Sequence, residues 1–506
     1  MAKYVEDEKD TKRLVYPRPL VMFRPPSRHT YGFQDGDVYD LPLLELQTLL
    51  QLPHINFTPV MERNSQSIVS SPLQKQSRNQ MKKKKQKKHY DEGIIKSLYW
   101  LESSNDGSSN DNYIITKAVS RAILTHALFS IEYSASFSND DWTSAVKIDG
   151  VDGILEGIGE IDVISLSNPN LSNVERAELL KTISTLLRND ENYADDRYHP
   201  STILDEERVL IYHHSSTNDH YIKVGTRMAI GPAGSRGAPS QTLRRTHRGI
   251  LKKYALKNRL GVGRSEISTA MEPEIGIIMA NFVLAGTDTG QSIMDPCCGS
   301  GSLLLYASAL GATNLVGVDS LECVWKNAND EFRRHTRVIG TNTSKVKLAL
   351  PRFFHGDVFD PSSTECLQTI NEFDALIVDP PYNIGAPIIL AGKDIRPLNY
   401  HQHNETLHVE SAGTVNVAQR DITASILNIA RKVLVDGGRL VFFLPVQGDD
   451  MHLSLEKLMQ TKRWLIQGPD EQLEIQFGRL QRFSPTFARW LVCIKKRQKQ
   501  QIISLI

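Results

Sequence analysis

The stretch QSIMDPCCGSGSLLLYASALG, residues 291–311, decides how the C-terminal half folds. QSIMD reads as a short apolar strand, and GSLLLYASALG as a short helix closed by Gly311. Between them stands a loop with one acid and two glycines. NLVGVD, residues 314–319, is the next strand, and LECVWKNANDEFRRHTR, residues 321–337, the next helix. DALIVD at 374–379 and RLVFFLP at 439–445 are buried strands flanking the amphipathic helix RDITASILNIARKVLVDGG, which ends at a glycine pair. FARWLVCIKK, residues 487–496, is one more strand. Strand alternating with helix predicts an α/β fold, a parallel doubly wound sheet with helices on both faces. Ligands of such sheets bind at the carboxyl ends of the strands, so the loops after SIM, LVGV and ALIV carry the chemistry.

The first of these loops runs from Asp295 through Pro296 to Gly299 and Gly301. Its glycines let backbone approach a ligand closely, and the following helix presents free N–H groups. Asp319, at the end of the next strand, can accept ribose hydroxyls, and Asp295 can accept from an ammonium group. Asp357, in HGDVFD beside Val358, can meet an adenine amino group. No GK[ST] follows the loop, so it is not a P-loop, and CGSG falls short of the dinucleotide fingerprint GxGxxG. Carboxylate, glycines and ribose acid together suit S-adenosylmethionine better than NAD.

The third loop is DPPYNIGAP, residues 379–387. An exocyclic amine on a nucleobase is a poor nucleophile because its lone pair is delocalised into the ring. Asp379 can accept one amine hydrogen and the Pro380 carbonyl the other, which directs the nitrogen at a methyl-sulfonium carbon. Pro380 and Pro381 hold that carbonyl without a competing N–H. Tyr382 can stack on the base. The donor is already cationic, so this chemistry requires no metal. His401, His403 and His408 follow in a long polar loop that reads as a lid over the target base rather than a metal site. Cys297 and Cys298 read as small packing residues, and Phe442 and Phe443 as core.

The rest of the chain is long enough, at 506 residues in all, for further domains. With 59 basic and 58 acidic side chains, net charge identifies no partner. The five cysteines include no CxxC pair, so neither a zinc knuckle nor a disulfide framework is expected. MAKYVEDEKDTKR is charged and lacks an apolar core, so it does not read as a signal peptide. A membrane span is not expected, and a protein of the cytoplasm or nucleus is. Near the start, DLPLLELQTLL (residues 40–50) reads as a helix. Residues 64–88, ending in KKKKQKK, read as a disordered insertion. YWLESS, then residues 110–137, suggest strand, helix and strand; SNVERAELLKTISTLLR carries the capping-box pair Ser172 and Glu175. RVLIYHH and HYIKVGTRM, residues 208–214 and 220–228, form a plausible hairpin. From Lys223 to Arg264 there are eleven cations, among them Lys223, Arg227, Arg244, Arg245, Arg248, Lys252 and Lys253, and no acid. Such a ribbon suits a phosphate backbone.

The acid–glycine loop followed by DPPY resembles the amino-methyltransferases of nucleic acids. More narrowly, YALKNR (254–259), STAMEPEIGIIMANFVLAG (268–286) and MDPCCGSGSLLLYA resemble the tRNA guanine-N2 methyltransferase catalytic subunit family. SRAILTHALFSIEYSAS, DLPLLELQTLL and QRFSPTFARWLVCIKK extend the likeness over most of the chain. The family's usual DPFxGTG reads DPCCGSG here, and Asn383 replaces the family's glycine after DPPY. The resemblance implies a Rossmann-like methyltransferase domain at 266–498 on a mostly parallel, seven-stranded sheet, and a THUMP-like RNA-binding domain at 90–235. Residues 1–89 are then an N-terminal α+β region, 236–265 a basic linker and 499–506 a tail. It further implies Thr269 and Met271 beside the cofactor, tRNA guanosine ten as substrate, and a small zinc-binding methyltransferase activator as partner. DPPY serves adenine N6 and cytosine N4 equally well, so a DNA or RNA methyltransferase of those amines stays open, as does a non-catalytic RNA-binding scaffold.

Overall fold

The computed structural model describes residues 4–6, 12–24, 33, 40–60, 98–103, 109–137, 161–165, 208–214, 220–231, 271–284, 290–320, 348–359, 372–382, 412–465 and 471–498. The chain divides into two units. One comprises Met1–Pro25 and Leu52–Gly249, the other Pro26–Gln51 and Ile250–Ile506.

The first unit is built on an eight-stranded sheet: β1 Tyr4–Glu6, β2 Lys12–Phe23, β3 Ile55–Pro59, β4 Leu98–Ser103, β5 Thr125–Phe137, β6 Ile161–Ser165, β7 Arg208–His214 and β8 His220–Ile230. The order is β3-β4-β2-β5-β8-β7-β6, with β1 on β2. The hairpin expected at 208–228 is present, with His214 facing His220. Helix α2, Ser109–Arg121, precedes β5 as anticipated, and the 4-residue spacing of Ile115 and Val119 puts both in the core. Lys223 and Arg227 alter one expectation. They are not part of a ribbon open to a phosphate backbone but lie inside β8, at 7% and 8% exposure. The run KVGTR pairs with β5, and pairing of a central strand takes precedence over charge.

The second unit carries a seven-stranded sheet: β9 Ser292–Asp295, β10 Asn314–Asp319, β11 Arg352–His355, β12 Phe373–Val378, β13 Leu434–Gln447, β14 Leu473–Arg482 and β15 Phe487–Lys496. Its order is β11-β10-β9-β12-β13-β15-β14. The first five strands are mutually parallel, and the chain reverses its direction of travel across the sheet between β9 and β12. That reversal is the switch point where doubly wound sheets bind ligands. β15 runs antiparallel to β13, and β14 to β15. The last strand is therefore half of a hairpin, not a further βα unit. Its partner β14 reads LEIQFGRLQR, too polar to stand out as a buried strand.

Helix α4 (Ser302–Ala309) lies where the pattern placed it, and α5 (Ala412–Val433) covers the helix expected from Arg420 but begins eight residues earlier, inside the stretch read as a polar loop. α5 stops at Val433, before the glycine pair, because the chain already pairs with β12 from Leu434. α3, Pro273–Leu284, is mostly apolar and buried from Glu274 to Leu284. Its proline opens the first turn, where a missing N–H costs nothing. Helix α1, Asp40–Leu50, also belongs to this unit. It packs on α3 through a bond from Asn281 Nδ2 to Glu45 Oε1 at 2.7 Å, both side chains fully buried, while Arg479 on β14 donates to Asp40 at 3.0 Å. The core under the sheet gathers Met294, Phe373, Leu376, Ile426, Phe442 and Val492. Among the described residues no helix is long and apolar enough to cross a membrane. The helices expected at 172–188 and 321–337, and the tract at 64–88, lie outside the described residues.

Candidate active site

Strand register brings the candidate acids to one edge. Gly317 of β10 stands beside Asp295 of β9, so Asp319 lies two residues beyond it. On the other flank Leu376 of β12 pairs with Met294, which sets Asp379 the same distance past Asp295. His355 of β11 pairs with Asp319, and Asp357 follows two residues on. This alignment is held at the opposite end of β9. There Ser292 N–H and Oγ bond Asp374 Oδ2 at 2.7 and 3.0 Å, and Asp374 N–H returns a bond to Ser292 Oγ at 3.1 Å.

The glycine loop is organised by these acids. Cys297 N–H donates to Asp295 Oδ1 at 3.0 Å, and Gly299 N–H to Asp319 Oδ2 at 2.9 Å. Gly299 and Gly301 have φ of 48° and 74°, left-handed conformations that disfavour any side chain. A Cβ on Gly299 would meet no atom within 4 Å, so the loop leaves room for a ligand there. Gly301 caps α4 without a side chain, presenting bare backbone at the helix start. Asp357 Oδ1 accepts from Phe359 N–H at 2.9 Å, which turns the chain just past Val358, itself 8% exposed.

Met271, the one described residue of the pair Thr269 and Met271, is pinned to α4. Its N–H donates to Ser302 Oγ at 3.3 Å, and its carbonyl accepts from Tyr306 Oη at 3.1 Å. Thr269, the cations Arg244, Arg245, Arg248, Lys252 and Lys253, and the histidines 401, 403 and 408 lie outside the described residues.

Electrostatics favour a cation at this edge. Burial pushes the Asp295 carboxyl well above its ordinary range, the Cys297 amide opposes this, and the charges of Asp379 and Asp319 push it further up. Burial, and then the charges of Asp295 and Asp319, raise both the Cys297 and Cys298 thiols, which disfavours the reactive thiolate. Converging buried carboxylates repel one another until a positive charge enters. S-adenosylmethionine, with its sulfonium and ammonium, has the required sign.

Asp379 follows β12 directly, with Pro380, Pro381 and Tyr382 after it. Tyr382 Oη donates to Asp379 Oδ1. Sequence reasoning missed what surrounds this pair. Arg489 of β15 donates from Nη1 to Tyr382 Oη at 2.8 Å, and Phe487 of the same strand has its ring 6.2 Å from that of Tyr382. Phe483, 53% exposed at the β14–β15 turn, stacks on Phe487 at 5.4 Å. The signal was in QRFSPTFARW, quoted for its likeness alone; three aromatics around an arginine beside a tight turn mark a hairpin tip. Phe443, expected in the core, is fully buried, and it also carries the Arg489 guanidinium on its face.

Residues 265–387 match the UPF0020 family model, described as an RMKL-like methyltransferase domain. The tRNA (guanine(10)-N(2))-methyltransferase TRMT11 of Dictyostelium discoideum is 28% identical over 221 residues, 41% of this chain and 38% of that protein. The protein of the same name from Bos taurus is 24% identical over 294 residues, 55% of this chain and 56% of its own length. Over these alignments the chain spans about two fifths to just over half of the relatives it matches. Among solved structures, TrmN from Thermus thermophilus aligns over 95% of this chain and all of that one, at 14% identity and a TM-score of 0.38, a superposition too loose to argue from. With four parallel strands, a glycine loop at the switch point and a matching family model, residues 265–387 form a methyltransferase domain, and the chain is a homologue of proteins named tRNA (guanine(10)-N(2))-methyltransferase.

Proposed function

We propose that this chain transfers a methyl group from S-adenosylmethionine to the exocyclic N2 of a tRNA guanosine, at position ten. The observation that carries the reading is the parallel register, which sets Asp319 and Asp379 each two residues past the level of Asp295, at the strand ends beside the glycine loop. When bound, S-adenosylmethionine supplies an electrophilic methyl carbon. Asp295, Pro296, Gly299, Gly301 and Asp319 would hold it, with Met271, Thr269, Asp357 and Val358 at its margins.

Asp379 accepts one hydrogen of the target amine and the Pro380 carbonyl the other, which localises the nitrogen lone pair and aims it. Pro381 keeps the turn rigid and offers no donor to compete. Tyr382 presents its ring to the base while its hydroxyl steadies Asp379. The proton shed by the amine is taken by a carboxylate oxygen of Asp379. Burial raises the basicity of that group, and Arg489 and the Tyr382 hydroxyl restrain it.

The cations Arg244, Arg245, Arg248, Lys252 and Lys253 hold tRNA phosphates, and the unit containing β1–β8 presents the RNA as a THUMP-like module. A small zinc-binding methyltransferase subunit completes the enzyme, which works in the cytoplasm. The test is incubation with labelled S-adenosylmethionine and bulk tRNA, with and without such a subunit, followed by digestion to nucleosides. N2-methylguanosine is the expected product; N6-methyladenosine or N4-methylcytidine in its place would refute the assignment. Asp379→Ala is expected to abolish transfer while S-adenosylhomocysteine still binds.

A further inference from the structure

Around Asp379, one charged side chain touches neither methyl donor nor base in the chemistry above, yet bears on the carboxylate. Arg489 stands on β15, in the antiparallel hairpin at the far side of β13. Its guanidinium is held on three sides. Nε donates to Gln481 Oε1 at 2.7 Å, Nη1 donates to Tyr382 Oη at 2.8 Å, and the group lies 3.6 Å from the centroid of the Phe443 ring. Gln481 and Phe443 are both buried, so the fork has rigid supports.

An ion pair built only for stability would set this fork directly on the carboxylate. Here Nη1 remains 3.9 Å from Asp379 Oδ1, and the hydrogen-bonded route runs through the Tyr382 hydroxyl. That route engages Oδ1 and leaves the Oδ2 side of the carboxylate to another donor. The side chain of Asp379 is 25% exposed, enough for a ligand to reach it.

Resting on the methyl-transfer reading, we propose that Arg489 is a positioning residue: acting through Tyr382, it sets the direction of the Asp379 carboxylate so that its second oxygen meets the exocyclic amine. Among the described residues, the titratable and charged groups that act on Asp379 are Asp295 from the end of β9, Cys297 from the glycine loop, Tyr382 on its own loop and Arg489 from β15. Arg489 is the cation among them. Burial favours the protonated acid, which cannot accept at its hydroxyl oxygen, and the arginine opposes that.

The test uses the full chain with Arg489→Met, Arg489→Lys and Tyr382→Phe. One readout needs no turnover: the titration midpoint of Asp379 by NMR of aspartate carboxyl carbon-13, assigned with Asp379→Asn. The other is kcat and KM against pH. Arg489→Met is expected to raise the midpoint and to move the acid limb of kcat to higher pH in parallel. At neutral pH kcat falls by about 100-fold, the loss typical of a small misplacement, with KM for S-adenosylmethionine unchanged. Arg489→Lys returns the midpoint but not the rate, since an ammonium lacks the planar fork. Tyr382→Phe raises the midpoint with Arg489 still in place. An unchanged midpoint in Arg489→Met overturns the proposal even if the unmutated chain methylates no RNA, a failure that would fall on the methyl-transfer reading alone. Should Arg489→Met not fold, an unchanged midpoint and kcat in Tyr382→Phe overturn it equally.

Discussion

Lys223→Met separates a phosphate contact from a buried cation. Lys223 belongs by sequence to an acid-free basic run, yet its side chain is 7% exposed within β8. Nζ donates to Ser134 Oγ at 3.1 Å and stands 5.7 Å from the Trp100 ring centroid, where the Arg18 guanidinium also lies, at 4.5 Å. Burial, and then the charge of Arg18, push Lys223 down from 10.5 to about 8. Between pH 8 and 10.5 the unfolded chain therefore holds a proton that the folded chain has released, and stability rises with pH across that window. Below it the buried ammonium costs about 3 kcal/mol relative to the neutral amine. Methionine removes that cost but also loses one hydrogen bond, about 1 kcal/mol, and a ring contact, about 0.5–1 kcal/mol. The variant is thus expected to stabilise this unit by about 1–2 kcal/mol at pH 7 and to flatten its rise toward pH 10. Urea titrations read by pulse proteolysis, with peptides of β5 and β8 resolved by mass spectrometry, measure this. tRNA binding from 50 to 200 mM salt, about the range where phosphate contacts show, is expected to keep its slope. Destabilisation at pH 7, or a salt slope reduced by about one, would refute the reasoning.

Asp319→Ala is expected to weaken S-adenosylhomocysteine binding by about 10- to 100-fold, since a charge-assisted contact of about 1.5–3 kcal/mol is lost and the Gly299 amide loses its acceptor. Asp319→Asn, which keeps an acceptor for that amide, falls between; calorimetric Kd values within twofold of the unmutated chain would contradict the assignment. Gly276→Ala would drive a Cβ to 2.2 Å from the Tyr306 ring, which Met271 and α4 hold in place, and is expected to destabilise the catalytic unit by about 1–3 kcal/mol. Combining it with Tyr306→Ala tests the cause. The second change should relieve the clash, and additive losses would show that the ring was not the obstacle.

Much of the site was legible because its signals are local. A strand end, a glycine pair and an acid one strand further on occupy a few dozen residues, and the backbone needs of that loop restrict which residues can stand there. Asp295, Asp319 and Asp379 were each readable from the run of apolar residues before them, and Asp357 from a short strand-like segment; parallel register then aligned them. The basic run shows the opposite case. Composition made Lys223 and Arg227 look like phosphate ligands, whereas pairing of β8 with β5 buried them, because a strand's neighbours are not written in its own charge pattern.

The amino-acid order by itself determined the alternation of strand and helix and the chemistry at the strand ends, since both follow from periodicity and residue type over short spans. Only the tertiary structure decided that β15 returns antiparallel, that α1 docks on α3 across 236 residues between Glu45 and Asn281, and that Arg489 reaches Tyr382 across 107. Such neighbours are chosen by how whole elements bury their apolar faces together. That free energy is shared over the sheet and its helices, and no short window of sequence contains it.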